Sequence, residues 1–106
     1  MFARIVSLRL KPNTRAEFTE KFEKDVIPTL RKQQGFQDEI TFAAPNGTEV
    51  VAISLWDSKE NAETYNRATY PEVLKTLAKV IEGTPEVRPF EVVNSTSHKI
   101  AARAAA

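Results

Sequence analysis

Residues 50–56 read Val-Val-Ala-Ile-Ser-Leu-Trp, an almost unbroken apolar run that ends in the only tryptophan of the chain, and Asp57-Ser58-Lys59-Glu60 follows at once. The run is short and rich in β-branched residues, so it reads as a strand buried on both faces. Such a strand needs cover on two sides. A chain of 106 residues makes one domain around one core. Its helices can cover one side of a sheet, and the other side then requires a second copy of the chain. The run therefore predicts a two-fold homodimer with sheets face to face, because the alternative is a large exposed apolar patch.

The remaining elements follow from period and punctuation. Residues 2–10 read as a first strand, with Phe2, Arg4, Val6, Leu8 and Leu10 on one face and Ala3, Ile5, Ser7 and Arg9 on the other. Thr14-Arg15-Ala16-Glu17 has the form of a capping box. The helix it opens runs to about Gln34, with Phe18, Phe22, Val26 and Leu30 as its buried stripe. Pro28 predicts a kink or break near Val26–Ile27, and Gly35 is the stop. Residues 36–44 read as a second strand, with Phe36, Ile40 and Phe42 on one face. Asn46-Gly47 predicts a tight hairpin with positive φ at both residues. The third strand runs from Glu49 to Trp56, and a second helix from Ser58 to about Ile81. Pro71 divides that helix at Thr69–Tyr70, Gly83-Thr84-Pro85 closes it, and residues 86–94 form a fourth strand. Pro89 puts that strand at an edge or a bulge. The order β-α-β-β-α-β is α+β and ferredoxin-like, with a four-stranded antiparallel sheet. Residues 1–95 make the domain and residues 96–106 a C-terminal tail.

Composition excludes several functions. Fifteen basic and 14 acidic residues give a net charge of +1, which offers no attraction to nucleic acid or an anionic membrane. No apolar stretch approaches the roughly 20 residues that span a bilayer. The N-terminus starts in strand-like sequence without a signal peptide's apolar region, so a cytoplasmic protein is expected. There is no cysteine, hence no disulfide, thiol nucleophile or iron–sulfur cluster. Only one histidine is present, and Asp25, Asp38 and Asp57 are scattered, so no metal site is expected. With three glycines there is no phosphate cradle.

The stretch Trp56-Asp57-Ser58-Lys59-Glu60-Asn61-Ala62, the later Tyr65, Tyr70-Pro71, Thr84-Pro85-Glu86-Val87 and Phe90-Glu91-Val92, together with Lys32-Gln33-Gln34-Gly35-Phe36, resemble the antibiotic biosynthesis monooxygenase group of dimeric α/β-barrel proteins. The resemblance covers residues 2 to about 94 and implies the dimeric α/β barrel. It also implies cofactor-independent oxidation of a small phenolic or quinol-type aromatic, in which the substrate itself gives electrons to dioxygen. No cofactor is expected. Haem-degrading members of the group carry a histidine on the second helix, where this chain reads Tyr70-Pro71-Glu72-Val73-Leu74-Lys75-Thr76-Leu77, and its first strand has Ser7 where an asparagine is expected. The resemblance therefore does not extend to haem degradation. The rival reading is a non-enzymatic dimeric domain of the same fold that binds small molecules or serves in stress.

Five residues are the candidate site. Trp56 either stacks a substrate ring or fills core. Tyr65 and Tyr70 either orient a phenol oxygen or pack with their hydroxyls at a rim, and Tyr70 is the better candidate because Pro71 frees backbone groups beside it. Arg9 and Arg88 either stabilise a negative aromatic intermediate or pair with Glu39, Glu49 or Glu91. Arg4 is read as structural. His98 lies in the tail with no orienting acid fixed beside it, and is read as solvated.

Overall fold

The computed structural model describes residues 1–100. β1 is Phe2–Leu10. α1 (Arg15–Lys21), a π-helical turn (Phe22–Val26) and α2 (Ile27–Arg31) form the first helical layer. β2 (Phe36–Ala43) and β3 (Glu49–Trp56) make a hairpin, α3 (Lys59–Ala68) and α4 (Tyr70–Leu77) follow, and β4 (Ile81–Glu91) closes the order. All neighbouring strands pair antiparallel in the order β2-β3-β1-β4. This is the ferredoxin-like α+β arrangement expected, with β4 and its Pro89 at the sheet's edge.

The first helix buries Phe18, Val26 and Leu30, with Phe22 half-buried beside them. Pro28 has no amide to continue the α ladder. The chain answers with a widened turn, in which the Ile27 amide bonds the Phe22 carbonyl five residues back. The α-helix ends at Arg31, short of Gln34, because Lys32 and Gln33 bond carbonyls only three residues back. Gly35, at φ +82°, then turns the chain into β2, and its carbonyl accepts from the Asp57 amide at 2.8 Å.

Several local expectations are corrected. Thr14 precedes α1 but forms no capping box: its hydroxyl donates to the Lys11 carbonyl at 2.7 Å, after Asn13 has turned the chain at φ +62°. Ser58 does cap α3, accepting from the Asn61 amide at 3.2 Å. In the β2–β3 loop only Gly47 takes positive φ, while Asn46 Oδ1 accepts from the Thr48 and Glu49 amides at 2.9 and 3.2 Å. The second helix is divided at Thr69 as read, but it ends at Leu77. Ile81 already belongs to β4, which continues through Gly83-Thr84-Pro85.

A β-bulge between Phe36 and Asp38 is the most consequential difference. It reverses the parity of β2. Phe36 pairs with Trp56 on the helix-covered face, whereas Ile40 and Phe42 pair with Ile53 and Val51 on the open face. The same bulge turns Glu39 toward the helices, opposite Ser54. The open face holds Ile5, Val51, Ile53 and Leu55 half-buried and leaves Ile40 and Phe42 each 52% exposed. Among the described residues no helix is long and apolar enough to cross a membrane.

Candidate active site

Between the helices and the covered sheet face lies a half-enclosed void of about 40 Å³. That is room for roughly three waters. Its walls are overwhelmingly apolar: Val6 and Leu8 of β1, Phe22 and Val26 of the π-helical turn, Leu30 of α2, and Val73, Leu74 and Leu77 of α4. Polar groups enter it from one row of the sheet and one side of the helices. In the row, Arg4 of β1 stands opposite Ser54 of β3, which stands opposite Glu39 of β2. Tyr65 of α3 and Tyr70 of α4 close the space above them.

Arg4 is 4% exposed. Its guanidinium carbon lies 4.9 Å from the centre of the Tyr65 ring and 4.5 Å from that of Tyr70, so two aromatic faces flank the cation. Its Nη2 donates to Asn66 Oδ1 at 2.8 Å. The ion pairs formed among the described residues do not include it. Burial lowers its pKa, and the neighbouring tyrosines partly offset this, but a guanidinium keeps its proton at any physiological pH. Arg4 also borders an open groove between α3 and β4 lined by Ala62, Asn66, Val87 and Pro89, and so forms the wall between the groove and the void.

The tyrosines are neutral donors. Burial pushes Tyr65 up to about 12, against the opposing pull of Arg4, and burial likewise raises Tyr70. The Tyr70 hydroxyl is buried beside the Arg4 guanidinium, and no acceptor among the described residues takes its proton. Glu39 is pushed up to about 7, mainly by burial and slightly by Asp38, while the Thr41 hydroxyl donates to it at 2.7 Å and pulls the other way.

The five residues singled out in the sequence divide. Tyr65 and Tyr70 come together in the void, ring centres 6.2 Å apart. Trp56 is wholly buried one layer behind: it stacks on Tyr65 at 4.9 Å, meets Phe36 edge-on at 5.6 Å, and donates from Nε1 to Ser54 Oγ at 2.9 Å. Arg9 and Arg88 are exposed and outside the void, with Arg88 lying over the Phe90 ring at 4.9 Å. Arg4 and Glu39 are the residues that sequence reasoning missed. For Arg4 the signal was present, since it shares strand parity with Phe2, Val6 and Leu8. For Glu39 it was not, because the bulge hides its parity. His98 is corrected too: Asp38 holds its Nε2 at 3.1 Å, with the pair at the open side of β2. The rest of the predicted tail, residues 101–106, lies outside the described residues.

A family model for antibiotic biosynthesis monooxygenases matches residues 1–79. Among solved structures, a protein of unknown function from Nitrosomonas europaea is similar with a TM-score of 0.76 and 14% identity, over 95% of this chain and 94% of that one. A monooxygenase from the ActVA-Orf6 gene of Streptomyces coelicolor, in complex with nanaomycin D, gives 0.75 and 21% identity over 89% and 88%. SnoaB, a cofactor-independent oxygenase from Streptomyces nogalater, gives 0.72 and 15% identity over 92% and 98%. At these identities the structures establish a shared fold. No curated protein matches the chain.

Proposed function

The chain belongs to the antibiotic biosynthesis monooxygenase family, and from that premise we propose that it oxidises a small phenolic or quinol-type aromatic with dioxygen, without a cofactor, in the void around Arg4. One observation carries the reading: a buried cation that has no counter-ion among the described residues, beside a buried tyrosine hydroxyl that has no acceptor among them. An unpaired buried charge is costly, and a phenolate supplies the anion and the acceptor at once. Arg4 holds the negative oxygen, Tyr70 donates to it, and Tyr65 presents its ring to the substrate with Trp56 as support. Arg9 and Arg88 have no part in this version of the site. The substrate's own electrons reduce dioxygen: a phenol with a free para position gains one oxygen atom there and becomes a quinone, and the other oxygen atom leaves as water with two hydrogens of the substrate. The Streptomyces coelicolor monooxygenase is in complex with a small-molecule ligand, nanaomycin D, which supports a small-molecule site in this fold.

The void is small, so a ring enters by displacing its wall. The π-helical turn, which carries Phe22 and Val26, is the adjustable part, as such turns often are at functional sites. We also read the working unit as a cytoplasmic homodimer joined through the open sheet faces, which would cover Ile40 and Phe42.

Oxygen consumption with phenol, guaiacol and hydroquinone tests the oxidation. Isotopically labelled dioxygen should appear in the quinone formed from guaiacol, one atom per product. Binding of these phenols without oxygen uptake would instead support the rival binding domain.

A further inference from the structure

We propose that Glu39 is the proton acceptor that ionises the phenol bound beside Arg4. This rests on the reading of the void as a phenol site and adds the residue that starts the chemistry. A phenol is a poor electron donor to dioxygen until it loses its proton, and the walls of the void are overwhelmingly apolar. The proton needs an acceptor within the walls. Among the groups facing the space, Arg4 carries no acceptor site, and both tyrosines hold their protons more tightly than an ordinary phenol. Ser54 already accepts from Trp56 Nε1. Among the described residues Glu39 is the one carboxylate in the lining. It stands in the same cross-strand row as Arg4 with Ser54 between them.

The step balances. The phenol O–H bond breaks, its electron pair stays on the oxygen opposite Arg4, and the proton forms a new O–H bond to a Glu39 carboxylate oxygen. Total charge in the void is unchanged, so nothing further has to be buried. Thr41 is a positioning residue: its hydroxyl donates to Glu39 Oε2 at 2.7 Å and leaves Oε1 for the substrate. The pKa of about 7 suits the task, since a base near the ambient pH is ionised and still basic. The titratable groups coupled to it are Asp38 on its own strand and Tyr65 on α3, and Arg4 on β1 and Tyr70 on α4 face the same void.

The test is the pH profile of guaiacol-dependent oxygen uptake by wild type, Glu39→Gln and Thr41→Val. Wild-type kcat/KM should rise with pH and level off above about 7. Glu39→Gln should lose that limb and fall by about a hundredfold or more in kcat, with KM little changed. Thr41→Val, which keeps the carboxylate, should move the limb to higher pH. Thermal unfolding above neutral pH should show Glu39→Gln folded and no less stable than wild type, because the substitution removes a buried charge. A Glu39→Gln enzyme that keeps its rate within threefold and its limb overturns the proton transfer alone. A wild-type protein that consumes no oxygen with any of the phenols overturns the oxygenase reading, and the proton transfer with it.

Discussion

On the proposed reading, Arg4 is kept for its charge rather than for stability. The residue is 4% exposed, with its guanidinium between two aromatic rings and a neutral acceptor, Asn66. Replacing a buried charge by an apolar side chain of similar length is often neutral or stabilising. Arg4→Met should therefore leave the thermal midpoint unchanged or raised, while phenol oxidation falls by about a hundredfold or more. Calorimetry and oxygen uptake on the same sample check the two halves. Trp56 behaves in the opposite way. It has no exposed surface and makes three aromatic or polar contacts within the core, so Trp56→Ala should cost about 3–5 kcal/mol in denaturant unfolding. Glu39 makes stability depend on pH. Its pKa rises from 4.5 to about 7 on folding, so between those values the folded state binds the extra proton. Stability should be greatest below 4.5, fall as pH rises toward 7, and be flat above it as far as this group is concerned. Urea midpoints across that range check the slope, which Glu39→Gln should abolish.

At the level of elements, the order and the hairpin of strands were legible because each had a period and a stop signal: alternation in β1 and β3, the four-residue stripe from Phe18 to Leu30, Gly35, Pro71. What was not legible depended on pairing. The bulge after Phe36 leaves no mark in the sequence, since Gln37 and Asp38 are ordinary strand-end residues, yet it decides that Glu39 faces the void and Ile40 and Phe42 face away. β4 was read as starting five residues late, for a similar reason, and as running three residues past its end at Glu91. Gly83 and Pro85 look like a loop, but the strand tolerates them at an edge, next to a register shift opposite Ser7–Arg9. Gly35 shows how tightly one junction is drawn. A Cβ there would run into Asp57 Oδ1 and Asn61, and the residue sits at φ +82°. Gly35→Ala should destabilise by more than about 1 kcal/mol in urea unfolding, because both the backbone and the Asp57–Asn61 hydrogen bond of 2.8 Å must give way.

For the whole molecule, the two faces of the sheet carry different duties. The covered face forms the core and the void. The open face presents Ile40 and Phe42 at 52% exposure and Phe90 at 40%, beside half-buried Ile5, Val51, Ile53 and Leu55. Two-sided apolar strands were legible from residues 50–56, and with them the demand for a second cover. Light scattering should find a dimer, and Phe42→Lys should shift it toward monomer without unfolding it, since the side chain contributes little to the core of one copy. The site lies wholly on the other side of the sheet, and its polar row was only half legible: Arg4 by parity, Glu39 not at all. The central claim is that the void around Arg4 takes a phenol. Crystals grown with para-bromophenol test it most directly through the anomalous signal of bromine. The account predicts a ring inside an enlarged void, its oxygen within about 3 Å of both the Arg4 guanidinium and the Tyr70 hydroxyl. Bromine found only at the open sheet face or on the surface, with the void closed and unchanged, would contradict it.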